Sequence, residues 1–136
     1  MKLLTTVLVS LVLTGCLTTA SRRVNKHQDR IDGDAYLVAI AEGQKTVLER
    51  HFKIVYTKNI RIFWSDYRSL FEPRFNQIRI NRAVKGTPAQ KEHVRHELTE
   101  AMCWEATGGY PEGKQPQRLN GKWITDIVPS WSNHYR

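Results

Sequence analysis

Residues Thr87 to Gly109 write both ends of one long helix into the sequence, and the rest of the chain must pack around it. Thr87 is a good N-cap, Pro88 suits the first turn, and Gln90 completes a capping box. Gly108-Gly109 stops the helix after about Thr107. Val94, Leu98, Ala101 and Met102 recur at helical spacing and form an apolar face. His93, His96, Glu97 and Glu100 fall at i, i+3, i+4 and i+7, so they share a narrow stripe roughly opposite that face, and Trp104 continues it. Such a helix needs a second layer to cover its apolar side, and it can present the stripe to a cleft.

The other layer is readable upstream. Asp34 can cap a helix from Ala35 to about Phe52, in which Leu37, Ala41, Gln44, Leu48 and Phe52 share a face. His51 at its end suits the helix dipole and reads as structural. Two β-branched and aromatic runs, Lys53–Tyr56 and Ile60–Trp64, flank the turn-like Thr57-Lys58-Asn59. A loop is predicted from Ser65 to Phe75. Gln77-Ile78-Arg79-Ile80-Asn81 then alternates as a half-buried strand would. Gly109 to Gly121 reads as a loop, Trp123–Val128 as a short apolar element broken by Pro129, and Ser130–Arg136 as an irregular end. The expected class is α+β: an N-terminal helix, a short antiparallel or mixed sheet, the stripe-bearing helix and an irregular C-terminal segment.

The stripe is the part of the chain that points to a chemistry. Residues spaced by four converge from adjacent turns, so His96 and Glu100 can act as two ligands of one zinc ion, with Glu97 as general base between them. A third ligand must come from elsewhere. His134 is the first candidate, Asp126 and Glu112 are weaker ones, and His93 can join from one turn earlier. Read without a metal, His93 with Glu97 and His96 with Glu100 are i,i+4 pairs on a wet helix face.

His96-Glu97-Leu98-Thr99-Glu100 resembles the zinc-peptidase motif H-E-x-x-H with its last His replaced by Glu100. Together with the order helix, strands, alternating strand and capped helix, it is similar to the compact core of zincin metallopeptidases over about Asp34 to Thr107. Only His96 and Glu97 match that family's residues directly. The resemblance implies zinc, a peptide or protein substrate, and an edge strand just before the motif helix, here Gln77–Asn81, that aligns the substrate by strand addition. Glu100 departs from the pattern. A carboxylate is a competent zinc ligand, but its charge should make the ion a poorer Lewis acid.

The N-terminus bears on location. Lys2, the apolar run Leu3–Leu13 and the exit Thr14-Gly15 have the order of an export signal, too short to span a bilayer as a helix. Leu13-Thr14-Gly15-Cys16 resembles a bacterial lipobox. That implies cleavage before Cys16, diacylation of its thiol and a third acyl chain on the new amine, which together anchor stably. The expected organisation is a signal peptide over 1–15, a polar tether over 16–33 that includes His27, and a single α+β domain over 34–136. Leu17 leans the expectation toward the periplasmic face of the outer membrane. With Cys16 acylated, Cys103 has no intramolecular partner and reads as a small buried residue.

The formal charge is +8, and removing Lys2 with the signal leaves +7. A basic lipoprotein is drawn to anionic head groups. Nucleic acid is not expected as a partner, because export argues against it and no such motif occurs. No Gly-x-Ser-x-Gly elbow and no phosphate-binding Gly-rich loop is present. The alternative to a metal-dependent hydrolase is a non-catalytic envelope lipoprotein. It would bind metal, protein, peptidoglycan or lipid, with Trp64, Trp104, Trp123, Trp131, Tyr110 and Tyr135 as a possible surface.

Overall fold

The computed structural model describes residues 31–110 and 115–133. Cys16, Glu112 and His134, and with them the signal and most of the tether, lie outside the described residues. The chain is α+β. In order it runs β1 (Ile31–Asp32), α1 (Ala35–Phe52), β2 (Arg61–Ser65), β3 (Leu70–Glu72), β4 (Gln77–Asn81), α2 (Ala89–Thr107), β5 (Arg118–Leu119) and β6 (Lys122–Trp123). Short 3-10 turns at Ile124–Asp126 and Pro129–Asn133 make up the irregular C-terminal segment. Among the described residues no helix is long and apolar enough to cross a membrane.

Both helices occupy the predicted spans. Asp34 caps α1, its Oδ1 accepting from the Tyr36 amide at 2.9 Å. Its Oδ2 accepts from Trp64 Nε1 at 2.9 Å, which ties the start of α1 to β2. The start of α2 differs from the predicted capping box. The Thr87 hydroxyl turns back to the Val84 carbonyl, and Gln90 Oε1 accepts from the Gly86 amide instead. The reciprocal exchange is lost because the Val84 carbonyl takes both the amide and the hydroxyl of Thr87. Gly108, at φ 68°, ends α2 in the left-handed conformation that glycine adopts without a Cβ clash.

The main sheet is mixed, in the order β1-β2-β4-β3. β2 and β4 are parallel, with Ile62 opposite Ile78 and Trp64 opposite Ile80. Register partners share a face, so these four buried side chains form the sheet's inner surface. Leu37, Ala41, Leu48 and Phe52 of α1 and Val94, Leu98, Ala101 and Met102 of α2 close over them. At ~25 cal/mol per Å² of apolar area, each large side chain in this layer is worth about 1.5–3 kcal/mol of burial.

Three sequence expectations change. Lys53–Tyr56 is no strand. Lys53 is the left-handed cap of α1, and Tyr56 plugs into the core with its hydroxyl on Asn76 Oδ1. The segment expected as loop before Phe75 contains β3, paired antiparallel with β4. Strand Gln77–Asn81 is therefore interior, and the sheet edge beside α2 is β3, not β4.

Candidate active site on the second helix

α2 is buried on nearly its whole circumference, so the stripe is not a wet face. His96 is 5% exposed and Glu97 3%. The covering comes from three directions: β3, the β2–β3 loop and the C-terminal segment. Arg95 holds that segment down, donating from Nε to Gln44 Oε1 on α1 and from Nη1 to the Ile127 carbonyl. Trp131 then packs its ring 5.0 Å from the His96 ring, and its indole N–H donates to the Pro116 carbonyl.

A cavity of about 360 Å³ remains between these elements. α2 contributes Glu92, His93, His96 and Glu97 to its lining, and Arg68, Ser69, Asn81 and Ser130 close the other walls. Three of the predicted site residues thus line one cavity. Glu100 stands outside the lining, half-buried, with Oε1 accepting from Gln115 Nε2 at 3.0 Å and standing 3.6 Å from His96 Nε2.

The carboxyls of Glu97 and Glu100 are neighbours. Burial pushes Glu97 well above the usual carboxylate range, and the charge of Glu100 and a hydrogen bond with it push the same way. A backbone hydrogen bond from Phe71 and the Arg68 charge pull against this. The outcome is a carboxyl with raised proton affinity. Glu97 Oε2 is buried with no hydrogen-bond partner of normal geometry among the described residues.

Each histidine is held by a serine. His93 Nδ1 lies 2.7 Å from Ser69 Oγ, which also accepts from the Asn81 amide. Burial, then the neighbouring His96, lowers the His93 pKa. His96 Nδ1 lies 2.9 Å from Ser130 Oγ, and Ser130 Oγ donates to Glu92 Oε1 at 2.7 Å.

Two ligands of a tetrahedral zinc with bonds of about 2.0–2.1 Å stand about 3.4 Å apart. The separation of His96 Nε2 and Glu100 Oε1 fits such a pair. Among the described residues, no three His, Cys, Asp or Glu side chains are gathered so as to hold a metal by themselves. The candidate third ligand His134 lies outside the described residues, and Asp126 is exposed on its 3-10 turn. Cys103 is fully buried on the apolar side, its thiol pushed up to about 12 by burial and then by Glu100.

Four contributors were not anticipated from the sequence. Glu92 stands four residues before His96 and next to His93, at the start of the stripe, a signal the helical spacing contains. Ser69, Ser130 and Gln115 arrive from distant segments and carry no local signal. A scan against protein-family models, a search of curated proteins and a search of solved structures each found no match.

Proposed function

We propose that this chain is a lipid-anchored protein of the bacterial cell envelope whose α2 cavity is a zinc-dependent peptidase site. The observation that carries the reading is the burial of His96 and Glu97 beside one cavity, with the half-buried Glu100 carboxylate 3.6 Å from His96 Nε2. Two buried ionisable groups beside a third carboxylate are costly in a small domain, and a bound cation offsets that cost.

In this reading His96 Nε2 and Glu100 hold the ion, with His134 as the third ligand. Zinc, when bound, supplies Lewis acidity and lowers the pKa of water toward about 7. Glu97 takes the proton of the attacking water. Its raised proton affinity suits that task, because a general base works best with a pKa near the working pH. The hydrogen bond from the Phe71 amide to Glu97 directs that amide away from β4. The outer edge of β3 then borders the cleft, where an extended peptide can add as a further strand. Glu100 in place of a neutral ligand weakens the Lewis acid, so turnover should be slow.

The test is metal content and hydrolysis of the full chain. One zinc per chain is expected, lost in His96→Ala and in Glu100→Ala. Hydrolysis of an unstructured protein should be blocked by a chelator and lost in Glu97→Gln. Unchanged metal content in both ligand variants would sink the proposal.

One observation favours a non-catalytic envelope module. Trp123 is half exposed on the β5–β6 hairpin, with the Arg118 guanidinium 4.1 Å from its ring centroid. That reading requires binding to cell-wall material or protein that survives chelation and is lost in Trp123→Ala.

A further inference from the structure

We propose that Ser130 and Glu92 form a positioning pair that locks His96 as the Nδ1–H tautomer, so that Nε2, on the Glu100 side, is the unprotonated ring nitrogen. The inference rests on the reading of His96 as a ligand, but the proton assignment follows from the hydrogen-bond geometry and the acceptor-only chemistry of a carboxylate. Ser130 Oγ lies 2.7 Å from Glu92 Oε1 and 2.9 Å from His96 Nδ1, and it has one proton to give. The Glu92 carboxylate has none to offer. If the hydroxyl turned to His96, two oxygen lone pairs would face each other at 2.7 Å. The proton therefore goes to Glu92, and Oγ accepts from His96 Nδ1–H.

Glu92 is itself fixed, because the same Oε1 accepts the Ser130 backbone N–H at 3.3 Å. The residue that sets the tautomer comes from the C-terminal segment, which Arg95 and Trp131 hold against α2. A ligating histidine needs its other ring N–H held by an acceptor, and loss of that partner typically costs about 10–100-fold in metal affinity. Here the acceptor is a serine hydroxyl oriented by a carboxylate one helical turn before the histidine.

The test uses the full chain labelled with nitrogen-15 at histidine, free of metal, at mildly alkaline pH. Long-range proton–nitrogen correlation reads the tautomer of each ring, and His96→Gln assigns the resonance. The wild type should show pyrrole-type Nδ1 and pyridine-type Nε2 at His96. Ser130→Ala should mix the tautomers and Ser130→Thr should restore the pattern. Glu92→Gln should shift it, because an amide can donate to Ser130 and free its proton for His96. If Ser130→Ala does not fold, the Thr and Gln variants carry the test.

Zinc affinity is measured alongside. It should fall about 10–100-fold in Ser130→Ala and recover in Ser130→Thr. Pyridine-type Nδ1 in the wild type, or a pattern indifferent to Ser130 and Glu92, overturns the proposal. So does a zinc affinity that Ser130→Ala leaves unchanged. A locked tautomer in a chain that binds no zinc upholds the lock and removes only the metal reading.

Discussion

A carboxyl buried against a second carboxyl keeps its proton where an exposed one would release it. Glu97 has that environment, and its direction of shift fixes a sign. The unfolded chain gives up this proton in the ordinary carboxylate range, whereas the folded chain retains it to higher pH. The stabilisation is therefore complete below the unfolded value and is lost as pH rises through the raised folded value. Metal-free protein should melt at progressively lower temperature as pH rises above the ordinary carboxylate range, and Glu97→Gln should flatten that slope in thermal scans. A wild-type profile as flat as the variant's would show that Glu97 holds no proton. The same substitution should lower peptide hydrolysis by about 10²–10⁴-fold. Cys103 makes a separate prediction. Its thiol, pushed up to about 12 and fully buried, should resist alkylation at pH 8 until the chain is unfolded, as peptide mapping would read. The stripe itself was legible, because 3.6-residue spacing alone puts His93, His96, Glu97 and Glu100 together. Its burial was not, because the covering residues Trp131 and Ser130 lie more than thirty positions away and approach only through the tertiary fold.

At the scale of elements, the C-terminal segment does more than its irregular sequence suggests. Trp131 is among the largest fully buried side chains, and it seats the turn that brings Ser130 to His96. Trp131→Ala should cost about 3–5 kcal/mol in denaturant titrations, as aromatic truncations in cores do. A loss under about 1 kcal/mol would mean the segment is not anchored there. Leu98→Ala, on the opposite side of α2, should cost about 2–5 kcal/mol without moving the His96 tautomer. The two long helices and β4 were readable because each has a periodic burial pattern over enough residues. β3 was not, because three residues before Pro73 gain strand character only by pairing with β4. Lys53–Tyr56 misled in the other direction. Its β-branched content suits a strand, but the left-handed cap at Lys53 turns the chain away from the sheet. The β5–β6 hairpin did have a signal, Asn120-Gly121, and both residues take the positive φ that a two-residue hairpin turn demands.

At the scale of the whole molecule, the proposed anchor and the proposed metal make independent predictions. Acylation at Cys16 should place the protein in the membrane fraction, and Cys16→Ser should release it to the soluble fraction while leaving zinc content unchanged. Retention of the Cys16→Ser chain on membranes would assign the anchoring elsewhere. The metal prediction follows from size. A domain of this length buries a modest core, and this one spends part of it covering His96 and Glu97. A cation that binds the folded chain and not the unfolded one stabilises by mass action, about 2.7 kcal/mol at a hundredfold excess over its Kd. For a domain of roughly 100 residues that corresponds to a rise in Tm of about 10–20 °C. The gain should be smaller at low pH, because imidazole and carboxylate ligands must be free of protons to bind zinc. Thermal scans with and without zinc at about pH 6 and about pH 8 read both effects. A Tm indifferent to zinc at both values would leave Glu97 and Glu100 as a carboxyl pair held by protein contacts, among them Gln115, Phe71 and Arg68.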